Sequence, residues 1–182
     1  KDAISLDKTV AENISATAHA LGKDVGDITV ILLDRERHEG LIKEIRAAGA
    51  RVRLITDGDV AGAIAPSLPD SGIDLLMGTG ASTEAVLAAA AIKILGGRIL
   101  ARFKPRSDGD AENIKKFGID LEKIYETEDL AKGDILTFTA TGVIDGPLLQ
   151  GVKTTATHTI THSVVMRATS RTIRYITTHH HK

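Results

Sequence analysis

Three short stretches of this chain gather residue types that bind anions, sugars and hard cations. Asp34-Arg35-Glu36-Arg37-His38 carries two arginines two positions apart, and Asp57-Gly58-Asp59 sets two carboxylates around a glycine. Gly78-Thr79-Gly80-Ala81-Ser82-Thr83-Glu84 is bare backbone followed by an acid. Forked guanidinium donors match phosphate oxygens bidentately, and a helix start adds partial positive charge. Carboxylates beside a sharp turn accept hydrogen bonds from sugar hydroxyls or ligate a hard cation. Glycines let backbone N–H groups come close to a ligand. The combined chemistry suits an anionic, polyhydroxylated ligand together with a cation.

Each stretch also has a plain structural reading. Asp34 can cap a helix whose first turn is merely charged, with Arg35 and Arg37 in solvent. Asp59 can cap the next helix after an ordinary turn at Gly58. Ser82 or Thr83 can cap a third helix, with Glu84 as a favourable first-turn acid or the far end of a capping box. The glycines at 78 and 80 are neither a dinucleotide fingerprint, which needs a third, nor a P-loop, which needs Gly-Lys-Ser/Thr. Each signal is weak alone; their placement carries the information.

That placement follows from the elements between them. Leu6 to Leu21 has apolar residues at Val10, Ile14, Ala18 and Leu21, a helix closed by Gly22. Ile28 to Leu33 is a continuous aliphatic run, as for a strand buried on both faces. A helix with Leu41, Ile42 and Ile45 on one face ends at Gly49. Strand Val52 to Ile55, a short helix from Asp59, strand Ile73 to Met77, a helix from Ser82 to Leu95 and strand Arg98 to Phe103 follow. Repeated β-α units ending in a strand predict a mostly parallel sheet layered with helices, an α/β fold. In such a sheet, loops leaving the carboxyl ends of strands converge on one edge, where ligands bind. The three stretches are those loops.

Beyond Phe103 come a polar loop, a short helix at Ala111 to Phe117, and a strand with a helical turn within Glu122 to Lys132. From Ile135 the chain is rich in Thr, and Ile160, His162, Val164 and Met166 alternate with Thr161, Ser163, Val165 and Arg167. That alternation predicts antiparallel strands. No repeat or linker interrupts residues 1–182, which read as one domain. His179 to His181 read as a tag or a surface tail rather than a metal site.

Composition narrows the function classes. The 182 residues are 42% hydrophobic and carry a net charge of −1, from 23 basic and 24 acidic side chains. That balance gives no general attraction to nucleic acid or to an anionic membrane. The absence of Trp leaves no strong stacking platform for single strands. Without cysteine there is neither a disulfide framework nor thiolate chemistry. No apolar run approaches the roughly 18 residues that span a bilayer, and no signal peptide is visible, so a cytoplasmic protein is expected.

The run VILLDRERHEGLIKEIRAAGARVRLITDGDVAGAI, followed by LLMGTGASTEAVLAAAAIKILGG, resembles the C-terminal half of class II fructose-1,6-bisphosphatases. That family includes the bifunctional fructose-1,6-/sedoheptulose-1,7-bisphosphatases. FTATGVIDGPLLQGV and SRTIRYI extend the resemblance toward the C-terminus, so it covers nearly the whole chain. It implies half of a sugar phosphatase-like α/β sandwich. It also implies metal-dependent hydrolysis of the 1-phosphate of fructose 1,6-bisphosphate, in gluconeogenesis or the Calvin cycle, with Mg²⁺ or Mn²⁺ as cofactor.

Residue by residue, the family's phosphate-binding segment falls on Arg35, Arg37 and His38, with Glu36 in place of the usual proline. Its sugar-binding segment falls on Asp57, Gly58 and Asp59. Its Gly-rich loop falls on Gly80 and Ala81, where Ala81 replaces a glycine, and its metal-ligating glutamate on Glu84, flanked by Thr83 and Ala85 instead of proline and glycine. No residue here is assigned as catalytic. The resemblance implies an N-terminal half bearing the other metal acids, a homo-oligomer when intact, and little turnover by residues 1–182 alone. The stretch Lys1 to Asp7 resembles the junction between the halves. Two rivals remain at this point: a non-catalytic sugar-phosphate binding module, and a structural or oligomerising domain.

Overall fold

The computed structural model describes residues 3–182, so Lys1 and Asp2 of the junction-like stretch lie outside the described residues. The first helix, α1 (Val10–Leu21), starts later than its apolar spacing alone indicates because Thr9 caps it. The Thr9 hydroxyl accepts from the Glu12 N–H at 3.2 Å, and the Glu12 carboxylate accepts from the Thr9 N–H at 2.8 Å. This reciprocal pair fixes the first turn. Gly22, at φ 62°, ends it as expected.

Strand β1 (Thr29–Leu33) is the buried aliphatic run, and α2 (Glu39–Ala47) follows it. Strand β2 (Arg51–Ile55) pairs parallel to β1, with Thr29 opposite Arg51 and Leu33 opposite Ile55. Ile14, Ala18, Ile42 and Ile45 press from α1 and α2 onto Val30 and Leu32. Truncating one such buried isoleucine to alanine costs about 2–5 kcal/mol. Helix α3 (Asp59–Ile64) returns across the opposite face. Gly62 permits that approach, since a Cβ there would lie 2.8 Å from Ile55 Cδ1. Strand β3 (Leu75–Leu76), shorter than its apolar run, completes a parallel sheet of order β2-β1-β3. Asp74 anchors its entry by accepting the Thr29 N–H at 2.9 Å and pairing with Lys23 at 2.5 Å.

Helix α4 (Ser82–Ile94) follows, and then the chain departs from the sequence expectation. The fourth strand, β4 (Leu100–Ala101), does not join the parallel sheet. It comes after helix α4 and, beyond helix α5 (Asp108–Lys116), pairs antiparallel with β5 (Tyr125–Glu126). Side chains hold it there: Arg98 bridges Glu126 at 2.7 Å, and the Ile99 N–H donates to Thr127 Oγ1 at 3.0 Å. Thr127 opens the short helix α6 (Thr127–Leu130).

The Thr-rich part forms the predicted antiparallel sheet: β6 (Thr137–Thr141), β7 (Lys153–Thr154), β8 (His158–Arg167) and β9 (Thr172–His181). Strand β8 is central, paired with the other three. Its Val164 and Met166, with Phe138 of β6, pack against Ile64, Ala88, Ala91 and Ile92. Helices α3 and α4 therefore lie between the parallel and antiparallel sheets. His179 to His181 are not a tail but the end of β9, paired with Ile160, Thr159 and His158.

Candidate functional site

The carboxyl ends of β1, β2 and β3 release the three loops at one edge, as a parallel sheet requires. Their local structure corrects two capping expectations. Asp34 does not cap α2: residues 36–38 form a single 3₁₀ turn, and His38 occupies the N-cap position. Arg35 and Arg37 are therefore exposed on a loop ahead of the helix. Asp59 does not cap α3 either. Gly58, left-handed at φ 83°, holds the cap position, and Asp59 is the first helical residue. The Asp57 carboxylate accepts the Gly58 N–H at 2.7 Å. The Asp59 side chain makes no hydrogen bond or ion pair among the described residues.

The Gly-rich loop is clamped by the first loop. His38 is 3% exposed, and its ring joins the two: Nδ1 lies 2.9 Å from the Leu33 carbonyl, and Nε2 lies 2.9 Å from the Thr79 N–H. Arg37 donates from Nε and Nη2 to the Thr79 carbonyl at 3.0 and 2.8 Å. Thr79 is thus held at both its amide and its carbonyl. The flanking glycines provide the room. At Gly78, φ 147°, a Cβ would lie 3.2 Å from the His38 ring, and at Gly80 it would lie 3.2 Å from Asp59 Oδ2. All three loops touch at Gly78-Thr79-Gly80.

Glu84 sits in the first turn of α4 and accepts the Ala81 N–H at 3.1 Å, so the capping contact is made, with Ala81 rather than Ser82 or Thr83 at the cap position. Its second carboxylate oxygen has no protein partner among the described residues. The Gly80 N–H is likewise unpaired among the described residues. Among the described residues the Arg35 guanidinium donates only to the neighbouring Asp34 carbonyl, at 2.9 Å. The Gly80 N–H, the guanidinium donors of Arg35 and Arg37, and the carboxylates of Asp59 and Glu84 are of the kinds that can pair with phosphate and hydroxyl groups. No group of three or more His, Asp or Glu among the described residues is arranged to hold a metal ion. Glu84 fits a hard cation as one oxygen donor, but this donor set does not complete one.

Thr79 is the residue that sequence reasoning passed over. The only signal for it was the pair of glycines around it, which mark a peptide approached closely from both sides. A surface hollow runs along α1, past Ala11, Ser15 and His19, and none of the three loops lines it.

The fold is an α/β core whose parallel sheet releases the three loops at one edge. The chain belongs to the bacterial fructose-1,6-bisphosphatase family: the sequence profile described as "Bacterial fructose-1,6-bisphosphatase, glpX-encoded" matches residues 1–180. Among curated relatives, the whole chain is 40% identical to a fructose-1,6-bisphosphatase class 2 of Haemophilus influenzae, covering 58% of that protein. It is 38% and 37% identical to D-fructose 1,6-bisphosphatase class 2/sedoheptulose 1,7-bisphosphatases of two Synechococcus strains, covering 56% of each. The chain thus spans little more than half the length of these relatives. No helix of the described residues is long and apolar enough to cross a membrane.

Proposed function

We propose that this chain forms the sugar-phosphate binding part of a cytoplasmic class II bisphosphatase. The reaction is release of phosphate from the 1-position of fructose 1,6-bisphosphate, with sedoheptulose 1,7-bisphosphate as a second substrate, in gluconeogenesis or the Calvin cycle. Arg35 and the outward donors of Arg37 hold the phosphate that is not cleaved, with the Gly80 and Ala81 backbone beside them and His38 beneath. Asp57 and Asp59, turned at Gly58, accept hydrogen bonds from the sugar hydroxyls. Glu84 contributes one oxygen to a Mg²⁺ or Mn²⁺ whose other donors come from the N-terminal half of the enzyme. When bound, such a cation supplies charge neutralisation at the phosphoryl oxygens. The residues of this chain bind and orient the substrate and move no proton.

The observation that carries the reading is Asp59. Its carboxylate has no protein partner among the described residues, lies against Gly80, and sits within reach of the loop that Arg37 clamps, in a chain of this family. Phosphate release from fructose 1,6-bisphosphate is the test, measured with and without Mg²⁺ or Mn²⁺. Residues 1–182 alone are expected to release none. The same chain joined to the part of the Haemophilus influenzae relative that it does not cover is expected to give metal-dependent release. Binding of the sugar bisphosphate without release by the joined protein contradicts the enzyme and favours the non-catalytic binding module.

A further inference from the structure

The buried histidine of the first loop has a task that neither sugar nor phosphate binding describes. A neutral imidazole carries one N–H and one bare nitrogen, and the partner of each nitrogen dictates which is which. The Leu33 carbonyl can only accept, so Nδ1, 2.9 Å away, must carry the proton. The Thr79 N–H can only donate, so Nε2 must be bare. Both ring nitrogens are then used inside the protein, and at 3% exposure the ring has no edge left for a ligand.

We propose that His38 is a positioning residue locked in the Nδ1–H tautomer, which together with Arg37 fixes the Thr79 peptide so that the next amide, Gly80 N–H, faces the phosphate. Two features beyond the hydrogen bonds support it. Gly78 adopts φ 147°, a conformation open to glycine, in the one place where a Cβ would meet the imidazole at 3.2 Å. Arg37 spends two of its five donors on the Thr79 carbonyl rather than leaving its fork in solvent. A loop with glycines on both sides of Thr79 has little stiffness of its own, so its shape is imposed from the first loop. Leu33, at the end of β1, supplies the fixed point. The inference rests on the reading of residues 78–84 as a phosphate loop.

The tautomer is read directly from the ¹⁵N chemical shifts of His38 in the ¹⁵N-labelled 182-residue chain near neutral pH. A protonated, pyrrole-type Nδ1 and a bare, pyridine-type Nε2 are expected, with a slowly exchanging Thr79 amide. The reverse tautomer, or an imidazolium, overturns the proposal. Inorganic phosphate titrated into the labelled chain then reads the consequence at the Gly80 amide. Gln at position 38 places an oxygen near the Nε2 position, whereas Asn reaches only the Nδ1 position. His38→Gln is expected to keep the Thr79 protection and bind phosphate within about threefold of the unaltered chain. His38→Asn, at a similar melting temperature, is expected to lose the protection and bind at least tenfold more weakly. Equal affinities for the two variants overturn the positioning role. If neither variant folds, the tautomer in the unaltered chain still decides. If that tautomer is found but the unaltered chain binds no phosphate, the proposed function fails while the clamp stands.

Discussion

Asp59 and Gly80 lie so close that a single methyl group would bring them into conflict: a Cβ on Gly80 would sit 3.2 Å from Asp59 Oδ2. The second loop and the Gly-rich loop are therefore fitted to each other through the absence of a side chain. Gly80→Ala is expected to push the Asp59 carboxylate aside by a few tenths of an ångström. Since Gly80 is exposed and not left-handed, the stability change should stay within about 0.5 kcal/mol. Sugar bisphosphate binding should weaken instead. Gly78→Ala should behave oppositely, because φ 147° strains any other residue by about 1–3 kcal/mol. Calorimetric melting and binding titration of the two variants check this; equal melting losses would contradict it.

Arg37 places a planar fork on one carbonyl oxygen, through Nε and Nη2. A lysine can supply a point charge there but not two donors at fixed angles. Arg37→Lys is expected to weaken substrate binding by part of the roughly 1.5–3 kcal/mol that a charge-assisted hydrogen bond is worth, and Arg37→Ala by nearly all of it. Michaelis constants of both variants in the complete enzyme measure this. Unchanged values in both would show that Arg37 holds Thr79 without contributing to substrate binding.

The sequence made the parallel core legible because its signals are local. Continuous aliphatic runs, 3.6-residue spacing and glycine stops located β1, α1 and α2 to within a few residues. The edge where the loops meet followed from parallel connectivity alone. What escaped was set by contacts distant in the chain. Strand β4 reads like a fourth parallel strand, but Arg98 to Glu126 and Ile99 to Thr127 draw it to β5. The clamp on Thr79 spans 41 and 42 residues, and nothing local to Thr79 announces it. Asp34 and Asp59 have the composition of caps, yet a 3₁₀ turn and a left-handed Gly58 took those positions.

The start of α1 has a predictable acid response. Hydrogen bonds from the Thr9 backbone N–H, and then from its hydroxyl, hold the Glu12 carboxyl below its ordinary pKa. A carboxyl depressed in the folded state adds stability above its unfolded pKa, and loses that contribution as pH falls through the folded value. Glu12→Gln should therefore lower the melting temperature at neutral pH, with the deficit shrinking below about pH 4. A deficit that is constant from neutral to acid pH would show that the charge plays no part in the cap.

Glu84 carries the central claim, because one of its carboxylate oxygens caps the helix and the other is proposed to bind a cation. It now accepts the Ala81 N–H at 3.1 Å, a contact that a glutamine oxygen can keep. Glu84→Gln therefore costs stability only through lost charge at the helix start, about 0.3–1 kcal/mol. As a metal donor, the same change removes an anionic oxygen from a hard-cation site. The decisive measurement is metal-titrated phosphate release from fructose 1,6-bisphosphate by the complete enzyme carrying Glu84→Gln, with its melting temperature taken alongside. Turnover lower by orders of magnitude, a raised metal requirement and a nearly unchanged melting temperature are expected. Wild-type turnover with a small loss of stability would contradict cation binding and leave Glu84 as a helix cap.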